Sequence, residues 1–100
     1  MIHVVAIITA KPGKREEVLA LFRANVPAVH AEAGCIEYGP TIDATTGTPA
    51  KFGEDTFVVI EKWESADHLK AHAASPHMKA YGEKARDLLA DRAVHVLQPA

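Results

Sequence analysis

Residues Ile2–Ala10 read IHVVAIITA, a run of mostly β-branched and apolar side chains that suits an extended strand. Alternation places Ile2, Val4, Ala6 and Ile8 on one side of it and Val5 and Ile7 on the other. Thr56–Glu64 (TFVVIEKWE) repeats the property: Val58 and Ile60 share one side, and Phe57, Val59 and Trp63 the other. An antiparallel strand covered on one face only should alternate apolar with polar. These two do not, so both of their faces should be covered.

The rest of the chain is read outward from these strands. Pro12-Gly13 ends the first. Lys14–Ala33 carries Val18, Leu21, Phe22, Val26 and Val29 at helical spacing, with Glu16 and Glu17 in the first turn, where the helix dipole favours anions. Pro27 is expected to kink this helix, and Gly34 to cap its C-terminus. Cys35–Asp43 (CIEYGPTID) is a second strand, with Pro40 pointing to an edge or a bulge. Ala44–Asp55 is a loop punctuated by Gly47, Pro49 and Gly53. After the third strand, Ser65 caps a short helix with Asp67 in its first turn. Ser75-Pro76 starts another, running to about Ala90 with Met78, Tyr81, Ala85, Leu88 and Leu89 on one face. Ala93–Gln98 (AVHVLQ) closes as a fourth strand.

The order β-α-β-β-α-β is the ferredoxin-like arrangement of the α+β class: one antiparallel sheet with helices on one face, here a single domain over residues 1–100. The chain has no spare element for the second face. A second copy, packed sheet against sheet, is the simplest cover, so a homodimer is expected, with an apolar pocket between sheet and helices.

Composition narrows the function. Apolar residues make up 48 % and charged residues 24 %, within the range of folded domains. A net charge of −2 with no basic cluster argues against nucleic-acid binding. No apolar run approaches the ~20 residues of a membrane-spanning helix, and Met1 leads straight into a strand with no leader. A single cysteine, Cys35, has no internal disulfide partner, which fits the cytoplasm.

Polar residues that could do chemistry concentrate in the second half. His68 and His72 stand four apart on a helix, a spacing that also suits a metal, but no third ligand is evident and no metal is expected. His72 lies on or beside the inward face, where an imidazole can act as a proton acceptor or a packed core residue. Trp63 ends the third strand beside that helix, as core or as pocket wall. Asn25 falls inside the apolar stripe of the first helix, where its amide needs a partner. Met78, Tyr81, His77 and Tyr38 extend the candidate lining.

The runs GCIEYGP, FVVIEKWESADHLKAH and SPHMKAY, together with the closing VLQP, resemble the antibiotic biosynthesis monooxygenases over nearly the whole length, and within them most resemble bacterial quinol monooxygenases. The resemblance implies a dimeric α/β barrel. It also implies oxygen insertion from dioxygen into a small electron-rich aromatic, without metal, flavin or other cofactor. It maps the family's pocket tryptophan and histidine onto Trp63 and His72, with Asn25 as a candidate oxyanion donor. Haem-degrading relatives carry an Asn on the first strand, which IHVVAIITA lacks. FRAN at Phe22–Asn25 is similar to relatives that isomerise or process a small phosphorylated signal molecule, so that activity stands as an alternative. A non-enzymatic small-molecule-binding dimer is the third.

Overall fold

A computed structural model describes all residues, 1–100. Strands β1 (Ile2–Ala10), β2 (Cys35–Thr41), β3 (Thr56–Trp63) and β4 (Leu89–Leu97) form one antiparallel sheet in the order β2-β3-β1-β4. Helices α1 (Arg15–His30), α2 (Ala66–Ala73) and α3 (Pro76–Ala85) accompany them. The ferredoxin-like order expected from the sequence is present, with its second helical segment divided into α2 and α3. The division follows from Ser75-Pro76, since the proline ring cannot continue a helix but is well placed to begin one.

Register fixes what faces the helices. Ile2 opposes Trp63, Val4 opposes Glu61, Ala6 opposes Val59 and Ile8 opposes Phe57, so these eight share one face. Val18, Leu19, Phe22 and Val29 of α1 are buried with that face. Val5, Ile7, Val58 and Ile60 occupy the other, which carries no helix.

Several boundaries differ from the sequence reading. α1 runs unbroken through Pro27 and ends at His30; Gly34, expected as its cap, lies beyond Ala31, the residue that does cap it. Gly34 has φ +80°, and a Cβ there would collide with the His68 ring. That position therefore needs glycine for two reasons, its backbone conformation and the approach of α2. β2 stops at Thr41 because Asp43 turns into the following loop, where its carboxylate accepts the Phe52 and Gly53 amides at 3.0 and 2.9 Å. Those two bonds hold the Asp43 carboxyl below its ordinary value. α3 ends at Ala85 instead of continuing to Ala90. A 3-10 turn over Arg86–Leu88 follows, and β4 begins four residues before the expected Ala93. Pairing of Leu89 with Ala10 overrides helical propensity there.

Candidate functional site

A cavity of about 560 Å³ opens between the helix-facing side of the sheet and α3. Its walls are mainly apolar, including Val4, Ala6, Ile8, Phe22, Val59 and Leu89. Tyr38, His72, Met78 and Tyr81, all singled out from the sequence, line it. Glu61, which the sequence reading passed over, lines it too.

The polar end of the cavity is assembled from distant parts of the chain. His72 is buried on α2, 4 % exposed. Its Nδ1 lies 2.9 Å from Glu32 Oε2, in the segment after α1. The same oxygen lies 2.7 Å from Nε2 of His77, in the first turn of α3. An ionised carboxylate only accepts, so both ring nitrogens donate to it. That fixes the neutral His72 tautomer: Nδ1 carries the hydrogen and Nε2, on the opposite edge, is the acceptor. The Ser75 hydroxyl donates to the His72 carbonyl at 2.7 Å, which ties the end of α2 to the start of α3. Ser75 is the N-cap residue of α3, but its side chain makes this bond instead of accepting from an α3 amide.

Trp63 is fully buried and absent from the cavity lining, so of its two readings, core or pocket wall, the structure has the core one. Its ring centroid lies 4.6 Å from that of His72. Its indole N–H donates to Glu61 Oε1 at 2.9 Å. Tyr38 packs edge-on to His72 at 5.4 Å and stacks on Phe22 at 5.1 Å. Trp63 and Tyr38 therefore hold the imidazole between aromatic rings. Burial raises the Glu61 carboxyl above its ordinary value, opposed by the Trp63 hydrogen bond and by His72. Burial likewise raises the Tyr38 phenol, with Glu61 adding to the effect.

Two other expectations are revised. Asn25 is not among the lining residues: its amide donates to Met78 Sδ at 3.4 Å, so it braces one that is. His77 is drawn to Glu32 and away from the lining. His68 does not pair with His72. Its Nδ1 is hydrogen-bonded to the Ser65 hydroxyl at 2.7 Å, and that oxygen accepts the His68 amide. The histidines that do meet are His72 and His77, with Glu32 as a third ligand type, all donor atoms within 4.8 Å of one another. Those three could hold a metal ion; their 2.7 and 2.9 Å separations are those of hydrogen bonds. Lys79, Arg86 and Arg92 also line the cavity, although the sequence placed no cation there.

The chain belongs to the antibiotic biosynthesis monooxygenase family, whose sequence profile matches residues 1–84. It is 40 % identical to the Escherichia coli protein named "Probable quinol monooxygenase YgiN", over 99 % of this chain and 98 % of that one. Among solved structures it is similar to PA3566 of Pseudomonas aeruginosa, with a TM-score of 0.83 and 27 % identity over 99 % of this chain and 93 % of that one. Rv0793 of Mycobacterium tuberculosis gives a TM-score of 0.82 and 29 % identity over 99 % and 94 %. No helix of the chain is long and apolar enough to cross a membrane.

Proposed function

We propose that the chain is a cofactor-independent monooxygenase that inserts one atom of dioxygen into a small hydroquinone-type or polycyclic aromatic substrate. One observation carries the reading. An imidazole held through Nδ1 by a carboxylate, with Nε2 left on the opposite edge, stands in the wall of a mainly apolar cavity large enough for a fused aromatic ring. The family and the quinol monooxygenase relative support it.

A phenol ionises near pKa ~10, so a base must take its proton for the ring to become a good electron donor at neutral pH. His72 Nε2 takes it, and Glu32 stabilises the resulting imidazolium through Nδ1. The phenolate gives one electron to dioxygen, and the aryloxyl radical and superoxide combine in a new carbon–oxygen bond. The peroxide oxygen recovers its proton from His72. Loss of the ring C–H proton at that carbon then expels the outer oxygen as hydroxide, which becomes water, and leaves a carbonyl. Hydroquinone plus dioxygen gives hydroxyquinone plus water, so the substrate supplies every electron and no cofactor or metal is needed. Apolar walls exclude bulk water from the radical pair.

A homodimer completes this reading. Val5, Ile7, Val58 and Ile60 form an apolar face without helices, and Leu97, which pairs with His3 on that same face, is 49 % exposed. A second copy covers it, in the cytoplasm, where Cys35 remains a thiol. Sedimentation at micromolar concentration should give about twice 10.8 kDa. A stable monomer would refute the dimer.

Oxygen-electrode measurements with a panel of hydroquinones test the activity. Enzyme-dependent uptake of one dioxygen per quinol, with the hydroxylated quinone as product and no added metal, flavin or reductant, is expected. Absence of uptake across the panel, or restoration of it only by a metal, would refute the reading. An isomerase acting on a phosphorylated molecule gains one observation, the cations at Lys79, Arg86 and Arg92. Against it, 13 of the 19 lining residues are hydrophobic, which suits a ring more than a sugar phosphate.

A further inference from the structure

Three cations line the cavity on the side formed by α3 and β4. Lys79 and Arg86 stand seven residues apart, two helical turns, with the lining residue Gly82 between them. Arg92 lies on the helix-facing side of β4, opposite Ile8. It is near enough to Tyr81 to oppose the burial that lifts that phenol to about 12. None of the three takes part in an ion pair; the protein's ion pairs are Lys14–Glu17, Arg15–Glu16 and the contacts of His72 and His77 with Glu32. Glu61 is the only carboxylate in the lining, and it is engaged by Trp63.

Exposed lysines and arginines are ordinary on a protein surface. Here the chain as a whole carries a net charge of −2, yet its main cavity is lined by three unpaired cations against one carboxylate. A cleft with apolar walls focuses the field of the charges along it and raises the local concentration of the opposite charge. The body of the cavity suits a ring and this bank suits an oxyanion.

The geometry points to a substrate that is an aromatic ring bearing an anionic substituent, held by Arg86, Arg92 and Lys79 while the ring fills the apolar cavity. This rests on the monooxygenase reading for the direction in which the ring hydroxyl points, toward His72, but not for binding itself. The arrangement separates two tasks: the oxyanion positions the ring, and the chemistry proceeds at His72.

Calorimetry with two redox-stable probes tests it. 6-Hydroxy-2-naphthoate should bind about tenfold more tightly than 2-naphthol at low salt, a modest ratio because exposed cations are well solvated. The ratio should shrink as salt is raised. The double variant Arg86→Met/Arg92→Met should bring the two affinities together; methionine keeps the apolar stem, and neither position is buried. Equal affinity of the wild type for both probes, or a preference that survives in the double variant, would overturn the inference. Ribose 5-phosphate supplies an oxyanion without a ring; if it binds as tightly as the naphthoate, the aromatic half is wrong. Oxygen uptake with 1,4-dihydroxynaphthalene is measured alongside. Its absence counts against the monooxygenase reading alone, because the probe affinities do not depend on turnover.

Discussion

The two polar regions of the cavity are built differently. At the His72 end, Glu32, Glu61, Trp63, His72 and His77 are joined to one another by hydrogen bonds or ring contact, and they come from four separate stretches of chain. Along the wall formed by α3 and β4, Lys79, Arg86 and Arg92 make no ion pair, and Arg92 stands on a strand exposed along nearly its whole length. The first region holds atoms in fixed geometry, as proton transfer requires. The second supplies charge without fixing it, which is enough to attract an ion. Substitutions at the first should therefore alter kcat and stability, and those at the second should alter KM and salt dependence.

His72→Ala is the largest expected effect. Loss of a general base costs on the order of 10²–10⁴-fold in rate. Glu32 retains His77, so the carboxylate is not stranded and the variant should keep its fold, checked by its thermal melt. Turnover within a few-fold of wild type, with an unchanged pH profile, would make the imidazole structural and erase the contrast between the two regions.

Gly34→Ala comes next, and it acts on stability. A methyl group there meets the His68 ring, and the backbone has φ +80°. A left-handed non-glycine residue costs ~1 kcal/mol, and the clash adds to it, for a total of about 2–3 kcal/mol. Because Gly34 accepts the Glu64 amide and abuts α2, relief of the clash should shift α2 and lower turnover as well. Chemical denaturation checks the first effect. An unchanged midpoint would show that α2 is free to move, and that the His72 end is less rigid than described.

The sheet was legible because apolar period-two runs have few other readings, and register then follows from which face is buried. His72 was legible for a similar reason, as a titratable residue on an apolar helix face. Glu32 was not. It looks like an ordinary acid in the tail of a helix, and its partners lie 40 and 45 residues away. Glu61 did leave a signal: in TFVVIEKWE it shares a face with Phe57, Val59 and Trp63, a lone carboxylate on an apolar side. Asn25 misled because an amide in an apolar stripe can be satisfied by a neighbouring thioether as well as by a ligand. The helix end beyond Ala85 was invisible because a strand partner, not the local sequence, decides it.

Glu32→Gln sharpens the comparison further. The amide can still accept from His72 Nδ1, but it no longer balances the imidazolium that forms during turnover. Rate should fall about tenfold, the rising limb of the kcat–pH profile should move to lower pH as the base weakens, and KM should change little. A merely structural Glu32 would leave the profile in place and change only the melt.

Glu61→Gln is the smallest effect and separates burial from chemistry. Burial raises the folded-state carboxyl above its ordinary value of 4.5, so the folded protein holds this proton more tightly than the unfolded chain does. The unfolded chain ionises first as pH rises. Wild-type stability is therefore unpenalised by this group below 4.5, declines as pH climbs toward the folded value, and carries the full penalty above it. Glutamine has no proton to lose, and its carbonyl oxygen can still accept the Trp63 N–H. The variant should match wild type at low pH and equal or exceed it at neutral pH, with a flatter stability–pH curve between. Parallel curves would show that water solvates Glu61 well enough to cancel the burial cost. The carboxyl would then be an ordinary solvated acid, and the His72 end would be wetter than the burial of Glu61 implies.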